Sequence, residues 1–362
     1  MYGVTSTAPP APPAPTPPSA PARKLPRWSL HLIALSITFC IALVLLLGVD
    51  VYLHHRLAPY AALNIWGYRG EVLGRKQPNE KRILMIGPST VFSVGFPPEQ
   101  SLPAHLERFL QQRVSYPVHV VNLGMPGEDA FAYRANLEDF RFLKPDAVIF
   151  YGDSNPTGDS VPVVLRHNSP IFRLTGYYPI LHIAIREKAL MMQHGGNIEA
   201  AYGANKVVFR PGMAQRAGAA ALTGAANVAD YVQNAVGSVA DTPQTPLLPA
   251  PSCAEEFKKF CAAMNTAVTY ARSLGLPTLV VNQPYETTFQ IRIQEALQAM
   301  LREQHGRDAG VRYLDLGNGI NLKDTTLTYD GVHATPAGNA KLAEQLVESA
   351  LSLLAQPASS QQ

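Results

Sequence analysis

The chain has 362 residues, enough for a sizeable buried core, and its formal charge of +3 is close to balance. No stripe of Lys and Arg interleaved with aromatic residues occurs, so a nucleic-acid partner has no support. Small-molecule chemistry stays open.

Residues 1–27 begin the chain with a Pro/Ala-rich tail ("APPAPPAPTPPSAPARKLP" over 8–26), which is poor in backbone donors and in side chains that bury surface. It is expected to be an extended, disordered spacer, with a polyproline-binding partner as the alternative. Residues 28–53 follow as "WSLHLIALSITFCIALVLLLGVDVYL", uncharged up to Asp50 and long enough for a hydrocarbon core of about 30 Å. Trp28 and Tyr52 suit the two interfacial belts. A cleaved signal peptide competes with this reading, but the apolar run exceeds that of a typical signal and no small-x-small cleavage site follows. Arg23, Lys24 and Arg27 precede the span and only Arg56 lies close behind it, which orients the tail to the cytoplasm and the remainder outside. In a bacterium this is a single-pass inner-membrane protein with a periplasmic or surface domain.

After a connector at 54–79, a strand and helix alternation is legible. Strands are expected at Arg82–Ile86, "HVVNLG", "DAVIFYG", "PTLVVNQ" and "VRYLDL". Helices are expected near 103–112, 130–143, 253–274, 290–305 and 336–354. That order predicts a parallel sheet with helices on both faces, all strands aiming their carboxyl ends at one rim. Residues 156–251 form an insert too long for a simple loop. It is read either as a lid or substrate platform, with Arg173, Tyr177 and Tyr178 as candidate contacts, or as a helical pair completing the core. "SCAEEFKKFC" reads as a helix opening with Ser252 as N-cap and Glu255 three residues on. Eight residues of helix separate Cys253 from Cys261 by about 12 Å, so two free thiols are expected. Cys40 lies in the span.

Polar residues collect at the strand ends: Gly87-Pro88-Ser89 after the first, Asn122, Gly124 and Gly127 after the second, Asp153-Ser154-Asn155 after the third. Asp330 and His333 stand three residues apart before the last helix. A hydroxyl, a base, a carboxylate to orient it and donors for an oxyanion are the parts of an acyl-transfer site. Each has a plainer reading as well: Ser89 as a turn hydroxyl, Asp330 as an Asx-turn former, the glycines and Asn155-Pro156 as turn residues.

In these blocks the chain resembles the SGNH hydrolase superfamily, the GDSL-type esterases and their carbohydrate O-acyltransferase relatives, over residues 80–355. Gly87-Pro88-Ser89 stands where that family has Gly-Asp-Ser. Asn122 followed by Gly127 matches its second block, Asp153-Ser154-Asn155 its Gly-x-Asn, and Asp330-Gly331-Val332-His333 its Asp-x-x-His. The resemblance implies a flavodoxin-like three-layer α/β/α sandwich over 80–356, a catalytic set of Ser89, Asp330 and His333, and an oxyanion hole from the Ser89 and Gly127 amides with the Asn155 side chain. It implies no metal or organic cofactor. Two departures bear on activity: Pro88 removes a carboxylate, and Asp153 brings one near an oxyanion donor. With the anchor, the resemblance implies a serine esterase or O-acyltransferase acting on acyl, above all acetyl, esters of envelope or secreted polysaccharide, with a polysaccharide-biosynthesis complex as candidate partner. The alternatives are a lipid esterase, and an inactive polysaccharide-binding or scaffold protein of a secretion complex.

Overall fold

The computed structural model describes residues 27–57, 63–152, 166–181, 183–185, 188 and 246–355. The chain divides between Gly48 and Val49 into two units. Helix α1 (Arg27–Leu57) begins in the first, where side chains such as Leu35, Phe39 and Val44 lie exposed. Over Trp28–Leu57 it is long and apolar enough to cross a bilayer. The Pro-rich tail lies outside the described residues.

The second unit starts with the last turns of that helix, which are built into the domain. Asp50 accepts from the Ile180 amide at 2.9 Å and from the Leu181 amide and Tyr177 hydroxyl. Both ring nitrogens of buried His54 meet carbonyls, Leu63 O at 2.7 Å and Tyr178 O at 2.8 Å.

Five parallel strands form the sheet: β1 (Lys81–Ile86), β2 (Val118–Asn122), β3 (Ala147–Tyr151), β4 (Thr278–Val281) and β5 (Val311–Leu314), in the order β2-β1-β3-β4-β5. This is the flavodoxin-like order, expected from the sequence as a parallel sheet covered on both faces. The β-branched and long apolar side chains of β1 explain its interior place, between β2 and β3: Ile83 to Ile86 have no exposure, and burying each is worth about 1.5–3 kcal/mol. Their alternation splits the core in two. Leu84 and Ile86, with Val121, Val148, Phe150 and Val280, pack under α4 (Ala130–Asp139), α6 (Lys258–Ser273) and α7 (Thr288–His305). Ile83 and Met85, with Val120, Ile149, Leu279 and Val281, pack under α3 (Leu102–Gln111) and α8 (Pro336–Leu354). Caps fix where helices start: Ser101 for α3, a Thr287–Gln290 capping box for α7, and Thr335 followed by Pro336 for α8.

The expectation of free thiols at Cys253 and Cys261 is corrected. Glu255–Phe257 makes a tight 3-10 turn and α6 starts only at Lys258, so the chain folds back before the helix begins. The two Cα atoms are 6.5 Å apart and the sulfurs are bonded.

The described part of the insert joins the core. Short helix α5 (Pro170–Thr175) is capped by Ser169, and Phe172 and Tyr178 pack edge to face beside Phe140. Tyr178 is buried, Tyr177 is half-buried with its hydroxyl engaged by Asp50, and most of residues 156–251 lie outside the described residues.

Candidate active site

Strand β1 ends at Ile86 and β3 leaves on its other side from β2, so the chain reverses its direction of winding beside β1. Ligands in open α/β sheets gather outside the carboxyl ends at such a switch point. Ser89 sits there as the first residue of the one-turn helix α2 (Ser89–Phe92). Pro88 precedes it at φ −79°, in extended backbone a proline adopts without strain.

His333 and Asp330 arrive from the loop before α8. The His333 Nε2 lies 2.8 Å from the Ser89 Oγ, and its Nδ1 lies 2.6 Å from the Asp330 Oδ2. Asp330 fills two roles at once. Its Oδ1 accepts the amides of Val332 at 2.9 Å and His333 at 2.7 Å, closing an Asx-type turn, while Oδ2 holds the ring. Burial acts to raise the Asp330 carboxyl, but the His333 amide, the imidazole and the Val332 amide outweigh it and hold the group below its ordinary value. The Tyr329 ring stacks on the His333 ring at 5.7 Å and 13°, and its hydroxyl donates to Val94 O at 3.1 Å. Burial, then the Asp330 charge, pushes that phenol up to about 12, so it stays a neutral donor.

Gly127 lies in the loop after β2 at φ +82°, the left-handed region that favours glycine, and a Cβ added there would meet nothing within 4 Å. The loop is bonded to the turn that carries Ser89. Leu123 and Met125 donate to Met85 O and Gly87 O at 2.9 and 3.0 Å. The Asn122 amide donates to Val91 O at 2.9 Å and accepts from the Gly124 amide at 2.9 Å. Gly124 is required by close approach: a Cβ there would meet Phe92 N at 2.2 Å.

Three supporting residues had no site role in the sequence reading. Glu128, next to Gly127, accepts from Arg166 at 3.2 Å and from Asn136 at 2.7 Å. Arg166 also donates to Leu123 O at 2.8 Å and Gly67 O at 3.1 Å. Arg69 stacks its guanidinium 4.0 Å over the Phe92 ring, donates to Phe96 O, and pairs its own amide with Asn122 O at 3.0 Å. Burial pushes that guanidinium down to about 10. A connector residue and an insert residue thus brace the two loops, and neither position carries a periodicity or motif that marks it. Asn122 was visible as a strand-end polar residue, though its partner was not.

The structure therefore brings Ser89, His333 and Asp330 together in one hydrogen-bonded line. Asp153 and Asn155 lie outside the described residues. Among the described residues no group of three or more His, Cys, Asp or Glu side chains is placed to hold a metal ion. A groove of about 280 Å³, lined by residues including Arg69, Glu107, Arg108 and His119, lies along β2 and contains neither Ser89 nor His333.

No family model matches the sequence, and no curated protein matches it. Solved structures are similar in fold. The psychrotrophic esterase EstA from Pseudoalteromonas sp. shares 10% identity at a TM-score of 0.39, over 76% of this chain and 100% of that one. A family 3 carbohydrate esterase of Clostridium thermocellum shares 12% at 0.38, over 76% and 97%. A two-domain esterase active on acetylated mannans shares 11% at 0.36, over 78% of this chain and 52% of that one. At such identities and scores, the chemistry has to come from this chain's own side chains.

Proposed function

We propose that the chain is a membrane-anchored serine esterase or O-acyltransferase of the SGNH type, with acyl, above all acetyl, esters of envelope or secreted polysaccharide as substrates. The carrying observation is the line of hydrogen bonds from Asp330 through His333 to Ser89, 2.6 and 2.8 Å long. A hydroxyl bonded to a base that is itself oriented by a carboxylate is the arrangement that activates a serine nucleophile.

In this reading the Ser89 Oγ attacks the ester carbonyl carbon as its proton passes to the His333 Nε2. Asp330 keeps Nδ1 protonated and stabilises the imidazolium that forms. The oxyanion meets the Ser89 and Gly127 amides and the Asn155 side-chain amide. The carbon–oxygen bond to the alcohol then breaks, His333 returns its proton to the departing oxygen, and the acyl group stays on Ser89. Water repeats the sequence in reverse and releases an acid, or an acceptor hydroxyl takes the acyl group and regenerates an ester. Pro88 leaves this chemistry intact, because the family's Asp at that place is not one of the three groups that move or orient the proton.

Anchoring rests on α1, with its apolar length and the basic residues ahead of it. The Cys253–Cys261 bond suits an oxidising compartment and supports an extracytoplasmic domain. Polysaccharide is favoured as substrate because that location exposes the site to envelope glycans.

The test uses the full chain in detergent or nanodiscs. A serine-directed organophosphonate should label Ser89, and acetyl esters should turn over, both lost in Ser89→Ala. A folded parent with neither labelling nor turnover on acetyl and longer-chain esters, yet binding polysaccharide equally well before and after Ser89→Ala, would establish the scaffold reading instead.

A further inference from the structure

Tyr329 is 47% exposed, yet its ring is held on three sides. One face stacks on His333, the Phe96 ring meets it at 5.7 Å and 65°, and its hydroxyl is tied to Val94 O. Val332, between the Asx turn and His333, is 48% exposed. The chemistry described above uses neither side chain. An aromatic surface that is rigid and still open is a ready-made ligand contact, because little side-chain freedom remains to be lost on binding.

Its place says which part of an ester it would meet. His333 must hand its proton to the departing alcohol oxygen, so the alcohol portion lies on the imidazole side of Ser89, away from the Gly127 loop that faces the carbonyl oxygen. Tyr329 and Val332 flank that imidazole. Apart from Asp330, which the turn and the ring occupy, the segment from Tyr329 to His333 carries no charge, so an ionic alcohol finds no counter-charge there. A flat, immobile ring matches the flat C–H face of a pyranose, whereas a short open-chain alcohol offers it little area.

We propose that Tyr329, supported by Phe96 and Val332, is the binding surface for the alcohol portion of the ester, and that this portion is a sugar ring. The inference rests on the serine-esterase reading and narrows it on the alcohol side alone.

The experiment compares two substrates that deliver the same acetyl group, an acetylated methyl pyranoside and ethyl acetate, with the full-length protein. Both pass through one acetyl-Ser89 form, and the intrinsic reactivity of each alcohol is the same for parent and variant, so a change in the ratio of their kcat/KM values on substitution reports contacts to the alcohol. Tyr329→Ala should lower the ratio of pyranoside to ethyl acetate by about tenfold, the scale of one aromatic contact. Tyr329→Phe should keep the ratio, since the ring and not the hydroxyl is the contact, and Val332→Ser should lower it by a smaller factor. An unchanged ratio in Tyr329→Ala, whether both rates fall together or neither moves, overturns the proposal. A fall in both rates would make Tyr329 a support for His333 only. If Tyr329→Ala does not fold, an unchanged ratio in Val332→Ser decides against it. Failure of the underlying reading is seen separately and earlier, as a parent whose turnover is absent or survives Ser89→Ala.

Discussion

Arg166 and Glu128 form an ion pair 3.2 Å long in which neither side chain has any solvent exposure, one residue beyond Gly127. Two desolvated charges are costly to bury, so the pair is better understood as a fixture for the loop it ends than as a source of net stability. Arg166 reaches Leu123 O at the start of that loop and Glu128 at its end, which sets the loop's span.

Removing one partner is therefore expected to be worse than removing both. Arg166→Ala should cost about 3–5 kcal/mol by leaving Glu128 buried without its counter-charge, while Arg166→Met with Glu128→Leu should cost markedly less. Urea midpoints at constant slope measure both. The double variant should still lose turnover, because the Gly127 loop has lost its fixture.

The pH dependence follows from Asp330. Its carboxyl is held below the usual range, so it is already ionised where an imidazole titrates. Acidification should lower kcat/KM once the pH falls below the ordinary carboxylate range, where Asp330 takes up its proton and no longer holds the imidazole in place. Asp330→Asn can keep the Asx turn but not the charge, and should lower kcat by about 10⁴. The sign for stability is the reverse of a histidine's. A depressed carboxyl contributes above its unfolded value of about 3.9 and that contribution is lost as pH falls through the folded value. Asp330→Asn should accordingly lose less stability than the parent on acidification.

Gly124→Ala would set a methyl group against the backbone of Phe92 rather than against a side chain that can move aside. A destabilisation of roughly 1–3 kcal/mol is expected. Displacement of α2 should lengthen the Ser89–His333 hydrogen bond and slow phosphonate labelling beyond what the stability loss explains.

Mass mapping of non-reduced protein should yield a linked Cys253–Cys261 peptide. Reducing this short loop should lower stability by roughly 2–3 kcal/mol, read as a shift in urea midpoint with and without reductant.

Orientation is open to chemical labelling. In a Cys40→Ser background, Glu71→Cys, exposed in the connector, should react with an impermeant thiol reagent on intact cells, and Thr5→Cys in the tail should not. The opposite pattern would reverse the topology.

The strands were legible because each is a short apolar run stopped by Gly, Pro or Asn, and a central strand buried on both faces needs no further signal. Asp330 and His333 were legible because three residues suffice for one turn to bring them together. The start of α6 was misread: Ser252 and Glu255 have the right spacing for a capping box, but a 3-10 turn at Glu255–Phe257 took that stretch first, and the two patterns share their polar residues. Arg166 could not be paired with Glu128 from sequence. The contact spans 38 positions, and a buried arginine looks like any surface arginine until its partners are known. The same holds for Arg69, whose neighbours Phe92 and Asn122 come from two different strand ends.

Asn122 spends one carboxamide on two loops, giving its N–H to Val91 and taking one from Gly124. The turn that carries the serine and the turn that carries Gly127 are thereby a single moving part, although 31 positions separate Asn122 from Val91 in the chain. Replacing the Gly87–Ser93 turn as a block would change one half of a matched joint. Any such replacement has to carry Leu123–Glu128 along with it, whereas Phe96, Tyr329 and Val332 stand outside the joint and can be varied without disturbing it.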